Sequence, residues 1–597
     1  MLLHSIDWIL IGSFFLVSLI IGISVSKRAG SSAVEFFASG RNMPWWLLGV
    51  SMVATTFSAD TPNLVTDLVR NHGVSGNWMW WAFLLTGMVT VFIYAKLWRR
   101  LGVLTDIEFY ELRYSGKAAA FLRGFRSLYL GVFFNVIIMA TVSLAAIKMG
   151  GVILGFSPLQ TILISSIIVV VYTLLGGLRG VLITDFIQFF IAMFGAVAAA
   201  YIAVTLPQVG GLSSLFSHVN VIEKLSILPD FSDTSLLMTV FIIPLAVQWW
   251  SVWYPGAEPG GGGYIAQRML AAKNEKHAMG ATFLFNIAHY ALRPWPWIIV
   301  ALASLVVFPD LASLKTAFPD ISEGIVRHDL AYPAMLTFLP AGLLGLVIAS
   351  LIAAFMSTIS THLNWGASYI VNDFYRRFIE KNPPERQLVK VGRISIVGLM
   401  VLAALLALLL SNALQAFHIL LQIGAGTGLL FLLRWFWWRI NAASELAAMI
   451  ISFLVALYFE FVHASTGLPE LNEWQRLIIG VLITTVGWVL VTLLTRPTDK
   501  KTLLRFYRTV HPGGPGWRKI LREASQSGED MDEFLREKWD VPSGILGAFL
   551  GIVAVYSILF SIGFWLYSNT LAATISSIVA AVSSFSLIRI WKKIKFR

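Results

Sequence analysis

Apolar stretches of about 20 residues recur along nearly the whole chain, each long enough to cross a bilayer as a helix. About fifteen can be read, at roughly 6–26, 43–72, 76–99, 120–152, 158–176, 180–206, 235–256, 276–308, 332–372, 388–411, 413–436, 443–463, 474–495, 543–567 and 569–590. They predict an all-α, polytopic membrane protein. Polar residues interrupt this pattern in the second, seventh and ninth stretches, and each interruption asks for a physical reason.

In the ninth stretch, residues 339–364 read LPAGLLGLVIASLIAAFMSTISTHLN, with Ser357, Thr358, Ser360 and Thr361 gathered in the second half. Ala354, Ser357, Thr358 and Thr361 follow i, i+3, i+4, i+7 spacing, so one narrow helix face presents several neutral oxygens at membrane depth. Hydroxyls and carbonyls do not titrate near neutral pH, so this cluster suits a hard monovalent cation, sodium first, better than a proton. The same hydroxyls can equally bond back to their own helix carbonyls or pack a small-residue interface.

The second stretch contains SADTPN at residues 58–63, with Asp60 close to Pro62, and the seventh contains Pro244 followed by VWYPGAEPGGGG at 252–263. Proline removes a helix donor and frees carbonyls, so both stretches are expected to be broken at mid-membrane. The two breaks lie five spans apart, which is what a five-plus-five inverted repeat predicts, although two unrelated proline kinks would look the same. The corresponding divisions are an extra helix and loop at 1–42, a first repeat at 43–206, a second at 207–440, and accessory helices at 441–597.

Composition agrees with the pattern: 57% of residues are hydrophobic and 13% charged, far from the mix of a soluble domain. Cysteine is absent, which excludes disulfides, thiolate metal sites and cysteine nucleophiles. The amino terminus MLLHSIDW lacks a basic leader, so the first stretch is expected to stay as a permanent span. The net charge is +12, but its basic clusters fall on one side if fifteen spans alternate. The positive-inside rule then places the amino terminus outside and the carboxyl terminus in the cytoplasm. The charge is assigned to topology and to contact with anionic membrane lipid rather than to nucleic acid. The segment at 496–542, around HPGGPG, fits a surface helix or a small appendage, with a solvated linker as the leading expectation.

Charged side chains at membrane depth are costly and therefore functional candidates. Asp60 and Glu258 fall at the two breaks, and Asp185 lies in GGLRGVLITDFIQ at 176–188, sharing a helix face with Gln188. Asp60 could supplement a sodium site or cap the broken helix. Glu258 could bind a cationic group, join the ion site, accept protons, or pair with a lysine at the cytoplasmic surface. Histidines such as His289 and His362 show no metal spacing and are expected to be hydrogen-bonded structural residues.

GGLRGVLITDFIQ, AAFMSTISTHLN preceded by LPAGLLGL, and YIAQRMLAAKN together resemble the sodium:solute symporter family, with LLQIGAGTGLL and LTDIEFYELRY as weaker matches. The resemblance covers spans two to eleven and implies the leucine-transporter type fold. It also implies a sodium site made by the carbonyls of Ser58 and Thr61, the carbonyl of Ala354 and the hydroxyls of Ser357 and Thr358. A second sodium site, found in some relatives, would use Asp185, Ser360 and Thr361; these residues could instead form a structural hydrogen-bond network. Trp253 or Tyr254 resembles the family's substrate gate, and Gln422 its substrate-touching glutamine. Asp60, Asn63 and Glu258 complete the candidate substrate and gate set. The PGAEPGGGG run and Glu258 depart from the family pattern.

The expected function is a sodium-coupled symporter in the plasma (cytoplasmic) membrane, working as a monomer and importing a small polar solute such as a sugar or amino acid by alternating access. A proton-coupled symporter and a sensor that keeps the transporter fold are the alternatives. A membrane enzyme would need acid, base or metal groups converging near the interface, and no such constellation is present.

Overall fold

The computed structural model describes residues 3–56, 58–251, 258–321, 323, 325–410, 424–594 and 596. In lipid every backbone polar group needs an internal partner, and helices provide it along these apolar runs. In chain order the elements are α1 (Ser5–Ala29), α2 (Trp45–Thr56), α3 (Asp60–His72), α4 (Val74–Leu101), α5 (Gly116–Leu154), α6 (Pro158–Thr205), α7 (Thr234–Ser251) and α8 (Gly263–Ala271). They continue as α9 (Glu275–Val307), α10 (Leu343–Ile379), α11 (Glu385–Ala407), α12 (Ala442–Ser465), α13 (Glu473–Leu494), α14 (Val541–Leu566) and α15 (Thr570–Trp591).

Among the described residues, 12 helices are long and apolar enough to cross a membrane, against about fifteen expected. The difference has physical causes. The second expected span is divided into α2 and α3, each too short to count. The fifth and sixth run together as α6, which is helical throughout except at Gly177, where φ is 52° and ψ −164°. Tyr172 and Thr184 hydroxyls are hydrogen-bonded to each other, although a straight helix would hold residues 12 apart at about 18 Å. The chain therefore doubles back at Gly177, and α6 is two spans joined by a corner. A side chain there would strain the left-handed backbone and meet Phe36 O at 2.9 Å. Of the eleventh expected span, residues 413–423 lie outside the described residues, and the helix described in the rest, Gly428–Leu433, is too short to count.

α10 is the centre of the bundle: all residues from 353 to 369 are buried. Such enclosure obliges its polar side chains to find partners inside the protein. His362 Nδ1 and Asn135 Oδ1 of α5 lie 2.7 Å apart, and Asn135 Nδ2 donates to His362 O at 2.8 Å, so this histidine has the structural role expected of it. At the other end, Asp7 of α1 accepts from the N–H groups of Gly342 and Gly345, both at 2.7 Å. This carboxylate caps α10 and fastens the extra first helix to the bundle.

Residues 496–542 are not a solvated linker. They contain helices Lys500–Val510 and Arg518–Gln526, whose aromatic face is inserted into the protein. Trp517 is fully buried and donates from Nε1 to Trp435 O at 2.9 Å. Arg113 lies 5.0 Å from the Trp517 ring and 5.5 Å from Phe506, so desolvated rings and a guanidinium hold the segment against the 102–115 loop.

Candidate functional site

α2 stops at Thr56 and α3 starts at Asp60, with Pro62 in the first turn of α3, where a missing N–H costs nothing. Ending a helix frees its last carbonyls, and other elements supply donors to them. Arg293 of α9 donates to Val53 O at 3.1 Å and Thr56 O at 3.0 Å. Thr358 Oγ1 of α10 donates to Thr55 O at 2.7 Å. Thr55 and Thr361 hydroxyls lie 3.1 Å apart. The hydroxyl face of α10 is thus directed at the break, as its spacing required. Ser357 Oγ is buried there, close to the Asp185 carboxylate, and Ala354, on the same face, is buried too.

Ser58 and Thr61 sit just beyond this contact. Thr61 N–H donates to Ser58 O at 3.2 Å, and its hydroxyl donates to Thr56 O at 3.3 Å. The carbonyl that Thr358 reaches is that of Thr55, one turn before Ser58 in sequence. Ser58, Asp60, Thr61 and Asn63 line a cavity of about 400 Å³ together with Thr358 of α10. Trp253, Tyr254 and Gln422 lie outside the described residues.

The second predicted set surrounds a guanidinium. Arg268 and Asp185 are both fully buried and 3.9 Å apart. Arg268 donates to Thr361 Oγ1 at 2.7 Å and to Ser51 Oγ at 3.3 Å, and Ser51 Oγ donates to Asp185 Oδ2 at 2.5 Å. Ser360 Oγ turns back to Ser357 O at 3.2 Å. Asp185 Oδ1 has no hydrogen-bond partner in the protein, although Ser357 lies beside the carboxylate. One network therefore joins α2, α6, α8 and α10.

Glu258 is buried in an ion pair with Arg126, whose guanidinium lies 5.3 Å from the Tyr110 ring and 5.1 Å from Phe431. Its partner is an enclosed arginine and not the surface lysine of the sequence reading. Sequence reasoning also missed Thr55, Ser51, Arg268 and Arg293. For Arg268 a signal existed, since a charge within YIAQRMLAAKN, whose helix α8 is buried at every residue, requires a counter-charge. Thr55 gave none, because its role lies in a backbone carbonyl.

The model of the sodium:solute symporter family matches residues 36–452. The chain is 27% identical over 525 residues to the sodium/glucose cotransporter of Vibrio parahaemolyticus, covering 83% of this chain and 92% of that protein. It is 24% identical over 513 residues to the sodium/sialic acid symporter SiaT of Proteus mirabilis, covering 83% and 97%. Its fold is similar to a solved Na+-coupled sialic acid symporter in a substrate-bound outward-open state, with a TM-score of 0.65, 22% identity, and coverage of 83% of this chain and 99% of that one. The chain belongs to the sodium:solute symporter family, and it is a polytopic, sodium-coupled membrane transporter of the leucine-transporter type fold, with Na+ and a solute as its ligands and no enzymatic role.

Proposed function

We propose that this protein imports a small polar organic solute by alternating access, and that the sodium driving it binds where the break between α2 and α3 meets α10. The observation that supports this most is the Thr358 hydroxyl on the Thr55 carbonyl, beside the buried Ser357 Oγ. A hydroxyl that donates its proton to a carbonyl keeps its lone pairs for a cation. The ligand set is the Ala354 carbonyl and the Ser357 and Thr358 hydroxyls of α10, with the Ser58 and Thr61 carbonyls completing the predicted five. Sodium there ties the broken span to the central helix and favours the state open to the outside; its loss to the cytoplasm releases them.

At Asp185 and Thr361 a second ion would have to take oxygens from Arg268, and Ser360 is turned to its own helix. We read the guanidinium as the standing positive charge at that place, which gives one sodium per cycle. Asp60 and Asn63 face the solute cavity, and Glu258 is held apart from it by Arg126. The amino terminus lies outside the plasma membrane and the carboxyl terminus in the cytoplasm, in keeping with the basic clusters. The protein works as a monomer in contact with anionic lipid and without nucleic acid. Reconstitution in proteoliposomes tests the reading: solute accumulation should follow an inward sodium gradient. Accumulation that follows only a proton gradient would assign the driving ion differently, and absence of any accumulation would favour a sensor.

A further inference from the structure

The solute cavity has an apolar neighbour. A second cavity, of about 230 Å³, lies between α1, α5, α6 and α10, and the wall between the two is a single layer of residues. On α5, Ala145 and Lys148 line the solute cavity while Ala146 and Met149 line the second one. In the break, Ser58 and Asp60 belong to the first and Ala59 to the second. On α10, Thr358 belongs to the first, and Phe355 and Met356 to the second. The second cavity therefore lies against the back of the break.

Its walls are built for hydrocarbon. Among the described residues they carry no charged side chain. Thr161 Oγ1 donates to Ser157 O at 3.2 Å and Ser165 Oγ to Thr161 O at 2.7 Å, so both hydroxyls give their proton to their own backbone. Apart from these and the Trp8 indole, the lining side chains are apolar. A space of this kind excludes water and is filled most favourably by apolar groups.

The rim shows where such groups come from. Trp8 of α1 and Ile164 of α6 line the cavity and are 41% and 47% exposed, and both stand on helices long and apolar enough to cross the membrane. What meets their outer surface is lipid. The inner wall is closed, with Ile153 and Phe355 each only 3% exposed. A chain that enters past Trp8 and Ile164 thus reaches the back of the break without leaving apolar surroundings.

We propose that this cavity is a binding site for one acyl chain of a membrane phospholipid, inserted from the bilayer past Trp8 and Ile164 and packed against Ala59, Phe355 and Met356. With the amino terminus outside, the lipid belongs to the outer leaflet. There the chain supplies dispersion contacts to the broken span on the side away from the solute. The site is separate from those of sodium and solute and does not depend on either.

The test is photolabelling of the full chain in vesicles of phosphatidylethanolamine and phosphatidylglycerol, doped with a phosphatidylethanolamine that carries a diazirine on one acyl chain. Labelled residues are located by mass spectrometry. Label at Ile578 and Val582, on the exposed face of α15, reports ordinary contact with the bilayer and serves as the control. Label at Met149, Ile153 or Phe355, all buried, requires a chain inside the cavity and is the expected result. Ala146→Phe places a ring in the cavity and should remove the label from these positions while leaving that on α15. Label confined to exposed residues such as those of α15, or label at the buried positions that survives Ala146→Phe, would overturn the proposal. Should Ala146→Phe fail to fold, the comparison of buried with exposed positions in the wild-type chain decides.

Discussion

Thr358 has a single hydroxyl proton, and the Thr55 carbonyl takes it. What remains on the oxygen is acceptor capacity, which is what a cation needs. Thr358→Ser keeps this geometry and should leave the sodium requirement within about twofold, whereas Thr358→Ala should raise it by about tenfold or more, the equivalent of roughly 1.4 kcal/mol. The sodium dependence of uptake or of thermal stability measures both. Asp106, in the loop between α4 and α5, gives a second prediction. Its carboxyl accepts from Gly263 N–H at 2.9 Å and from the Tyr369 hydroxyl, which ties the start of α8 to α10. Burial first, and the Glu258 charge second, push its pKa up to about 6 from the usual 3.8. With the folded value above the unfolded one, the group binds its proton more readily in the folded state. Its stabilising contribution is present below about pH 4 and is lost as pH rises through 6. Melting temperature should therefore increase as pH falls from 7 toward 5, and Asp106→Asn should flatten that increase. An equally steep pH profile in the variant would contradict the assignment.

At the scale of elements, the corner in α6 rests on one residue. Gly177→Ala places a side chain on a left-handed backbone and against Phe36 O, and should cost about 1–3 kcal/mol, read as a lower melting temperature. An unchanged melting temperature would mean that the corner is not fixed there. The network around Arg268 makes a different prediction. If the guanidinium already supplies the charge beside Asp185, sodium titrations should be hyperbolic, with a Hill coefficient near one; a coefficient near two would restore the second ion. Much of this organisation was legible in the chain. The i, i+3, i+4, i+7 face of α10 and the SADTPN break both lie where the sequence put them, because amphipathic spacing and proline act locally. The partner carbonyl was not legible: any residue can offer its backbone, so nothing marks Thr55. Nor was the meeting of Asp185 with Arg268, which depends on how α6 and α8 pack and not on either segment alone. The role of 496–542 was misjudged for a related reason. Its polar composition suggested solvation, yet Phe506, Tyr507 and Trp517 are buried, with Phe506 packed on Phe109 and Trp435 and Trp517 held by Trp435 O and Arg113, all from far away in sequence.

For the whole molecule, the coupling sets a limit on work. One sodium crossing a potential of about 100 mV releases about 2.3 kcal/mol, and a tenfold gradient adds about 1.4 kcal/mol. Together these support accumulation of a neutral solute by roughly several hundredfold. A solute bearing one positive charge is drawn by the same potential and gains about another 2.3 kcal/mol. All of this depends on sodium joining the broken span to the central helix. The most direct test needs no solute: a sodium titration of the purified chain, followed by its melting temperature, in the wild type and in the Ser357→Ala/Thr358→Ala variant. The account predicts saturable stabilisation by sodium and not by potassium, lost in the double variant. Equal stabilisation by potassium, or an unchanged sodium response in the variant, would contradict it.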